Sequence, residues 1–424
     1  MINRFEAPTI KPVNDIDFIT PQIHTFQNGL ELYAINMGEQ DITRIDIMFA
    51  SGKWEQQKNL CASLTNLLLK EGTSSYSSLQ IAENMDYYGA WLQNSVTRHN
   101  SYITLYALNK HLEKLLPLLE EIVRQPTFPQ EIFDTQLSRR RQQFKIDQQK
   151  VDALAVACSM KQLFGEDHPY GKQLTDADFD SITGYDLNEY HKMHYHSDNC
   201  KIVITGKIND RHISLFDNCF GAGKWGDGIV AQEVNAVINP GLKFEKIVKE
   251  DSAQSAIRIS THTINRDNPD FNNLRILNTI LGGYFGSRLM LSIREEKGYT
   301  YGIGSSISAQ KQGSYLSIGT QTATKYVNAL IEAVFKEIKL LKEELIPEDE
   351  LNRVKSYMLG DFARSFDGPF ATADAQISLL ANSLPQTYFR NQLESIHRIT
   401  PETLLDLANK YLIEDKFHVT VAGQ

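Results

Sequence analysis

The sequence predicts an α+β protein of two duplicated domains, each an antiparallel sheet covered by helices. Three observations carry this. A segment recurs across the chain, a pair of broken helices precedes each copy, and short alternating apolar runs lie between helical stretches.

The recurring segment comes first. Residues 182–206 read ITGYDLNEYHKMHYHSDNCKIVITG, and residues 399–423 read ITPETLLDLANKYLIEDKFHVTVAG. Ile182-Thr183 aligns with Ile399-Thr400, and Gly206 with Gly423, without a gap. Each copy opens on a threonine suited to cap a helix, because its hydroxyl accepts from an amide of the first turn. Each closes on a β-branched run, CKIVIT or FHVTVA, that favours a strand. Upstream, 112–144 and 327–362 each hold two helical runs, broken at Phe128-Pro129 and at Ile346-Pro347. Proline suits a helix start, where its missing N–H is not needed. A looser third pair joins the apolar helices 60–70 and 271–282. A period near 217 residues is too long for a solenoid and reads as duplication.

Alternation over 30–36, 42–50, 101–107, 201–206, 254–262, 302–309 and 314–321 predicts the strands of sheets with one covered face. The intervening helices supply the cover. A glycine-rich stretch without helical period places a linker at 223–245, between an N-terminal domain 1–222 and a C-terminal domain 246–424.

Composition bounds the function. With 424 residues, 42% hydrophobic and 22% charged, the chain has the makeup of a globular protein and room for two cores. A net charge of −9 and the lack of a basic stripe argue against nucleic acid as a partner. The run Arg139-Arg140-Arg141 is opposed by Glu131, Asp134 and Asp147 and reads as one helix face. No apolar run approaches the ~20 residues of a membrane span, and residues 1–18 hold no apolar run of signal-peptide length. Cys61, Cys158, Cys200 and Cys219 are widely spaced and read as reduced, buried thiols. Together these point to the cytoplasm, with a periplasmic location left open.

His191, His194 and His196 crowd a helix end and read as solvated or capping groups. His99 and His111 have no carboxylate at ligand spacing. Gly282-Gly283 lacks the lysine of a phosphate loop and reads as a close-packing site.

Five segments, in order, cover nearly the whole chain: NGLELYAINMGEQDITRIDIMFASG (28–52), residues 67–103, HPYG (168–171), HYHSDNCKIVITG (194–206) and LGGYFGSRLMLSIREEKGYTYGIGS (281–305). They resemble the pitrilysin/insulinase family of zinc peptidases, which includes the mitochondrial processing peptidase and the core subunits of the respiratory bc1 complex. Active members carry HxxEH on a first-domain helix, two histidines for Zn²⁺ and a glutamate as general base. Aligned on Glu71-Gly72-Thr73, that motif falls on Ser63-Leu64-Thr65-Asn66-Leu67. Ser63 and Leu67 replace the histidines, and Asn66 replaces the base. The region of the third ligand, around Phe144-Lys145, has no glutamate. The resemblance therefore implies a chain without zinc.

In two-subunit members the zinc-free chain supplies an arginine and a tyrosine to a shared site. The matching residues here are Arg294 and Tyr301, with Tyr299 as a competitor expected on the same strand face. A guanidinium offers a fork of donors to a carbonyl or carboxylate, and a phenol can donate to a developing oxyanion. The resemblance implies a non-catalytic, substrate-binding or regulatory subunit, inactive alone. Its partner would be an HxxEH-containing homologue of similar length that holds the zinc, and its substrate a peptide. A structural scaffold and a stand-alone peptide-binding homodimer are the competing readings.

Overall fold

The computed structural model describes residues 16–226, 228 and 236–424 and arranges them around two sheets. The first sheet holds β1 (Gln22–Thr25), β2 (Glu31–Asn36), β3 (Ile42–Phe49), β4 (Trp91–Val96), β5 (Ser101–Leu108) and β6 (Cys200–Gly206), in the order β1-β2-β6-β3-β5-β4. The second holds β7 (Phe244–Val248), β8 (Ser255–Thr263), β9 (Ile303–Ser308), β10 (Ser314–Thr322) and β11 (His418–Gly423), in the order β7-β11-β8-β10-β9. With β1 set aside the two orders coincide. In each sheet the last strand in sequence inserts between two earlier ones, parallel to β2 or β7 and antiparallel to β3 or β8. The sheets are thus antiparallel except for one parallel pair each. That strand returns after a long helical excursion, so no hairpin dictates its direction.

The sequence repeat maps onto this topology. Helix Gly184–His194 and helix Pro401–Tyr411 keep the same bounds under the shift that carries Ile182 to Ile399, and so do the turns Ser197–Asn199 and Glu414–Lys416. Thr183 Oγ1 accepts from the amide of Asp186 at 3.4 Å, and Thr400 Oγ1 from that of Thr403 at 3.3 Å. Both closing glycines adopt positive φ, 141° at Gly206 and 151° at Gly423. A Cβ would lie 2.2 Å from the Ile42 carbonyl oxygen at the first and 2.3 Å from Ser255 Oγ at the second. The same close approach demands glycine twice. Pro129 and Pro347 stand just before helices Gln130–Asp147 and Glu348–Arg364, as the breaks predict.

Both faces of each sheet are covered, where one was expected: one face lies on helices of its own half and the other on a helix from the opposite half. Ile45, Ile47, Ile103 and Leu105 meet Leu64 and Leu68 of helix Cys61–Leu68 and Leu115 and Leu119 of helix Leu112–Arg124. On the far face, Tyr33, Ile35 and Val203 are covered by Ile377 and Leu380 of helix Pro369–Ala381. Ile35 and Val203 are fully buried there, which stabilises by about 1.5–3 kcal/mol for each side chain. Reciprocally, helix Val151–Phe164 lies on the second sheet, with Ala155 against Ala256 and Ala422 and Ser159 Oγ 3.1 Å from Ser260 Oγ. The exchange ties the halves into one body.

Three strands escape the sequence reading, β1, β4 and β7, and all three lie at sheet edges. Their side chains are largely exposed, so QIHT, WLQNSV and FEKIV lack a clean apolar alternation. β7 starts at Phe244, inside the expected linker 223–245, part of which lies outside the described residues. The described portion runs along helix Val151–Phe164, where the amides of Asn239 and Gly241 donate to the carbonyls of Phe164 and Gln162 at 3.2 and 2.8 Å.

Candidate functional site

Helix Cys61–Leu68 turns Leu64 and Leu68 into the core. Ser63, Asn66 and Leu67 fall on its other faces, and the two polar ones are held in structural hydrogen bonds. Ser63 Oγ donates to the Leu60 carbonyl at 3.0 Å. Asn66 is buried and donates Nδ2 to the Tyr195 hydroxyl at 3.3 Å and the Tyr102 carbonyl at 3.4 Å. Leu67 offers only carbon. Against this turn lies helix Gln130–Asp147, whose Arg140 places Nη1 3.5 Å from Ser63 Oγ. Phe144 packs on Phe179, ring centroids 5.5 Å apart. Zn²⁺ takes imidazole, thiolate or carboxylate donors. A hydroxyl, an amide, an alkyl group and an adjacent guanidinium do not fit it. Among the described residues no group of three or more His, Cys, Asp or Glu side chains is placed to hold a metal.

The second candidate site lies beyond a wide helical turn, the π-helix Met290–Glu296. Such turns recur where a helix must present a side chain out of register. Arg294 sits in its last turn. Its Nε donates to the main-chain carbonyl of Tyr301 at 2.9 Å, Nη1 pairs with Glu295, and the guanidinium lies 4.9 Å from the centre of the Phe285 ring. The chain between them turns at Gly298, φ 63°. The Tyr301 side chain projects outward, 92% exposed. The structure therefore brings the two residues together through side chain and backbone, while the phenol stands free.

Two expectations about this loop change. The strand expected near Tyr299 begins only at Ile303, so strand alternation does not govern residues 299–301. Tyr299 stacks on Tyr326 with centroids 4.9 Å apart and packs against the second core, which removes it from the surface that Tyr301 occupies.

The histidine cluster is also corrected. His191, His194 and His196 are buried, not solvated. His191 Nε2 lies 2.8 Å from the Val123 carbonyl and its ring stacks on Tyr195. Burial holds His191 and His194 down to about 4. Helix Gly184–His194 turns this face into the first core, a placement that a count of histidines at a helix end does not reveal. Within the arginine run, Arg141 pairs with Asp176 and Asp180 rather than with Glu131, Asp134 or Asp147. The four cysteines are unpaired, with Cys61, Cys158 and Cys200 buried and Cys219 partly so.

Sequence reasoning also missed the role of HPYG. His168 and Tyr170 are buried with Trp54 and Phe164, and the Tyr170 hydroxyl meets His99 Nε2 and accepts from the Gln312 amide at 3.2 Å. These groups come from four distant segments, and no spacing in the sequence announces their meeting.

Comparison with known proteins places this geometry among relatives. Residues 35–170 match the family described as insulinase (peptidase family M16), and residues 181–358 match the peptidase M16 inactive domain. The chain is 22% identical over 349 residues to the uncharacterized zinc protease YmxG of Bacillus subtilis, covering 81% of this chain and 84% of the relative. It is 24% identical over 325 residues to the non-peptidase homolog YmxG of Helicobacter pylori, covering 74% of each. Among solved structures, the peptidase M16 inactive domain from Pseudomonas fluorescens matches with a TM-score of 0.85 at 25% identity, covering 96% of this chain and 98% of the other. A Helicobacter pylori protease shares the fold at a TM-score of 0.85 and 15% identity, covering 95% and 99%.

Proposed function

This chain belongs to the insulinase family, peptidase family M16, and on that premise we propose that it is the zinc-free, substrate-binding subunit of a heterodimeric metallopeptidase. The partner is a chain of similar length bearing HxxEH. This chain contributes Arg294 and Tyr301 to the composite site and does not cleave peptides alone. The observation that carries the proposal is the Arg294 Nε bond to the Tyr301 carbonyl, which positions the tyrosine while leaving its phenol 92% exposed. An exposed phenol next to a fixed guanidinium is half of an oxyanion- and carbonyl-binding pair, in search of the surface that completes it. The names of relatives support the zinc-free reading, since one is called a non-peptidase homolog and another, from Bacillus subtilis, a probable inactive metalloprotease. Unpaired thiols support a cytoplasmic location.

One observation favours a scaffold instead. The Arg294 guanidinium is already engaged by Glu295 and Phe285, as a purely structural arginine would be. Co-expression with an HxxEH-bearing M16 chain separates the readings. The proposal expects a stable complex that hydrolyses unfolded peptides when neither isolated chain does so at a comparable rate. A complex no faster than the zinc chain alone would overturn the composite site and leave the scaffold and the stand-alone peptide-binding homodimer.

A further inference from the structure

Arg140 stands beside Ser63, and Lys53 and Arg98 share a pair of turns within electrostatic reach of it, with no carboxylate bonded to any of the three among the described residues. The turn after β3 pairs with the β4–β5 turn, through Lys53 N–H to the Thr97 carbonyl at 3.2 Å and Trp54 N–H to the Arg98 carbonyl at 2.7 Å. This sets Lys53 beside Arg98. The Arg98 guanidinium lies 4.6 Å from the centre of the Tyr170 ring, and its Nη1 is buried without a hydrogen-bond partner. Arg140 approaches Ser63 from helix Gln130–Asp147, and its Nε is likewise buried and unpartnered. Lys53, Arg98 and Arg140 make no ion pair among the described residues.

The electrostatics agree with this geometry. Lys53 is held below the usual ammonium range by burial and then by Arg140 and Arg98. Its side chain is nevertheless reached by solvent, so the cluster opens to the surface rather than into a sealed core. Burial also holds Arg140 below its ordinary range. Lys311, from the second half of the chain, acts with Arg98 on His99 and is itself faced by Glu55. Glu55 accepts from the Gly52 amide at 2.6 Å and is pushed up to about 7 by burial, so near neutrality it is a weak counter-charge. Buried donors left without partners are costly, and like charges in a partly desolvated cleft repel. An anion beside the exposed Lys53 and the half-exposed Arg98 and Arg140 relieves the repulsion.

We propose that Lys53, Arg98 and Arg140 form a binding site for a carboxylate of an extended peptide, either its free C-terminus or an acidic side chain. Arginine forks suit the two oxygens of a carboxylate, and Lys53 adds charge at the solvent-reached edge. The choice of a peptide as carrier rests on the substrate-binding reading above. The cluster would select acidic segments or chain ends within that role.

Calorimetric titration of the full chain at low salt tests this. The probes are an unstructured acidic peptide, the same peptide amidated at its C-terminus, an uncharged amidated control and inorganic phosphate. The acidic peptide is expected to bind more tightly than the control. Arg140→Gln should weaken it about ten-fold or more and leave the control unchanged. Lys53→Gln, at a solvent-reached position with little bearing on folding, should weaken it less and flatten its salt dependence. Loss of binding on amidation would assign the chain end, and its survival an acidic side chain. Equal binding of acidic and uncharged peptides, or indifference to both substitutions, would overturn the site while leaving peptide binding intact. Binding of no peptide would overturn both. Inorganic phosphate binding as tightly as the acidic peptide, and competing with it, would overturn the peptide assignment.

Discussion

Arg44 on β3 reaches Asp374 of helix Pro369–Ala381 at 2.6 Å, across the junction of the two halves. On the second sheet, Arg258 of β8 reaches Asp152 of helix Val151–Phe164 at the same distance, 2.6 Å. The exchanged helices are thus pinned in the same way on both sheets. Arg44 also pairs with the buried Asp46 at 2.8 Å. Burial opposes the Arg44 charge, but Asp46 and Asp374 outweigh it and keep the guanidinium protonated.

Arg44→Met should therefore destabilise the chain by about 3–5 kcal/mol, because Asp46 is left buried without its counter-charge. Adding Asp46→Asn should recover part of that loss. Asp374→Ala removes only an exposed partner and should cost under about 1 kcal/mol. Urea unfolding midpoints at constant slope give all three values.

Metal content follows from the donor set. After dialysis the isolated chain should carry no stoichiometric zinc, since Ser63, Asn66 and Leu67 offer no imidazole or carboxylate and Arg140 brings positive charge to the same turn. About one zinc per chain by atomic absorption would contradict this.

Acid sensitivity should come from buried histidines. His99, His191 and His194 are held down to about 4 by burial, from an ordinary value of 6.5. The unfolded chain then binds more protons than the folded one between these values, so stability is full above about 6.5 and is lost as pH falls toward 4. Glu55, pushed up to about 7, acts in the opposite sense, losing stability as pH rises toward 7. His168, His212 and His418 are lowered by burial as well, so the histidines as a group oppose Glu55 and lose stability on acidification. His194→Gln should lower the slope of stability against pH by about one proton in that window. An unchanged slope would show that His194 is not held neutral.

Arg294→Lys keeps the charge but loses the planar guanidinium, including the Nε donor that holds the Tyr301 carbonyl. In a reconstituted complex it should raise KM at least as much as it lowers kcat, because both the donor to substrate and the posture of the tyrosine are affected. A change in neither would remove Arg294 from the site.

The central strands, the capping threonines, the paired proline breaks and the two closing glycines were legible because burial and backbone geometry imprint them on local sequence. Of the edge strands, β1, β4 and β7 were not, since most of their side chains are exposed and leave no clean apolar alternation. The histidines misled because a helix end in sequence says nothing of which face packs inward, and Tyr195 and Val123 supply that answer only in three dimensions. Tyr299 misled because Gly298 lets the chain turn where a strand was expected. The cation cluster is illegible for a simpler reason. Lys53, Arg98 and Arg140 lie on three separate segments, and only the pairing of two turns and the approach of one helix unite them.

The most direct test of the composite site is the turnover of Tyr301→Phe in the complex with an HxxEH-bearing partner. The substitution removes one hydroxyl from a ring that is 92% exposed, so folding and assembly should be unaffected. If that hydroxyl meets the developing oxyanion, kcat should fall roughly 10²–10³-fold, with KM changing less. Wild-type turnover by an intact Tyr301→Phe complex would contradict the account and leave this chain a scaffold.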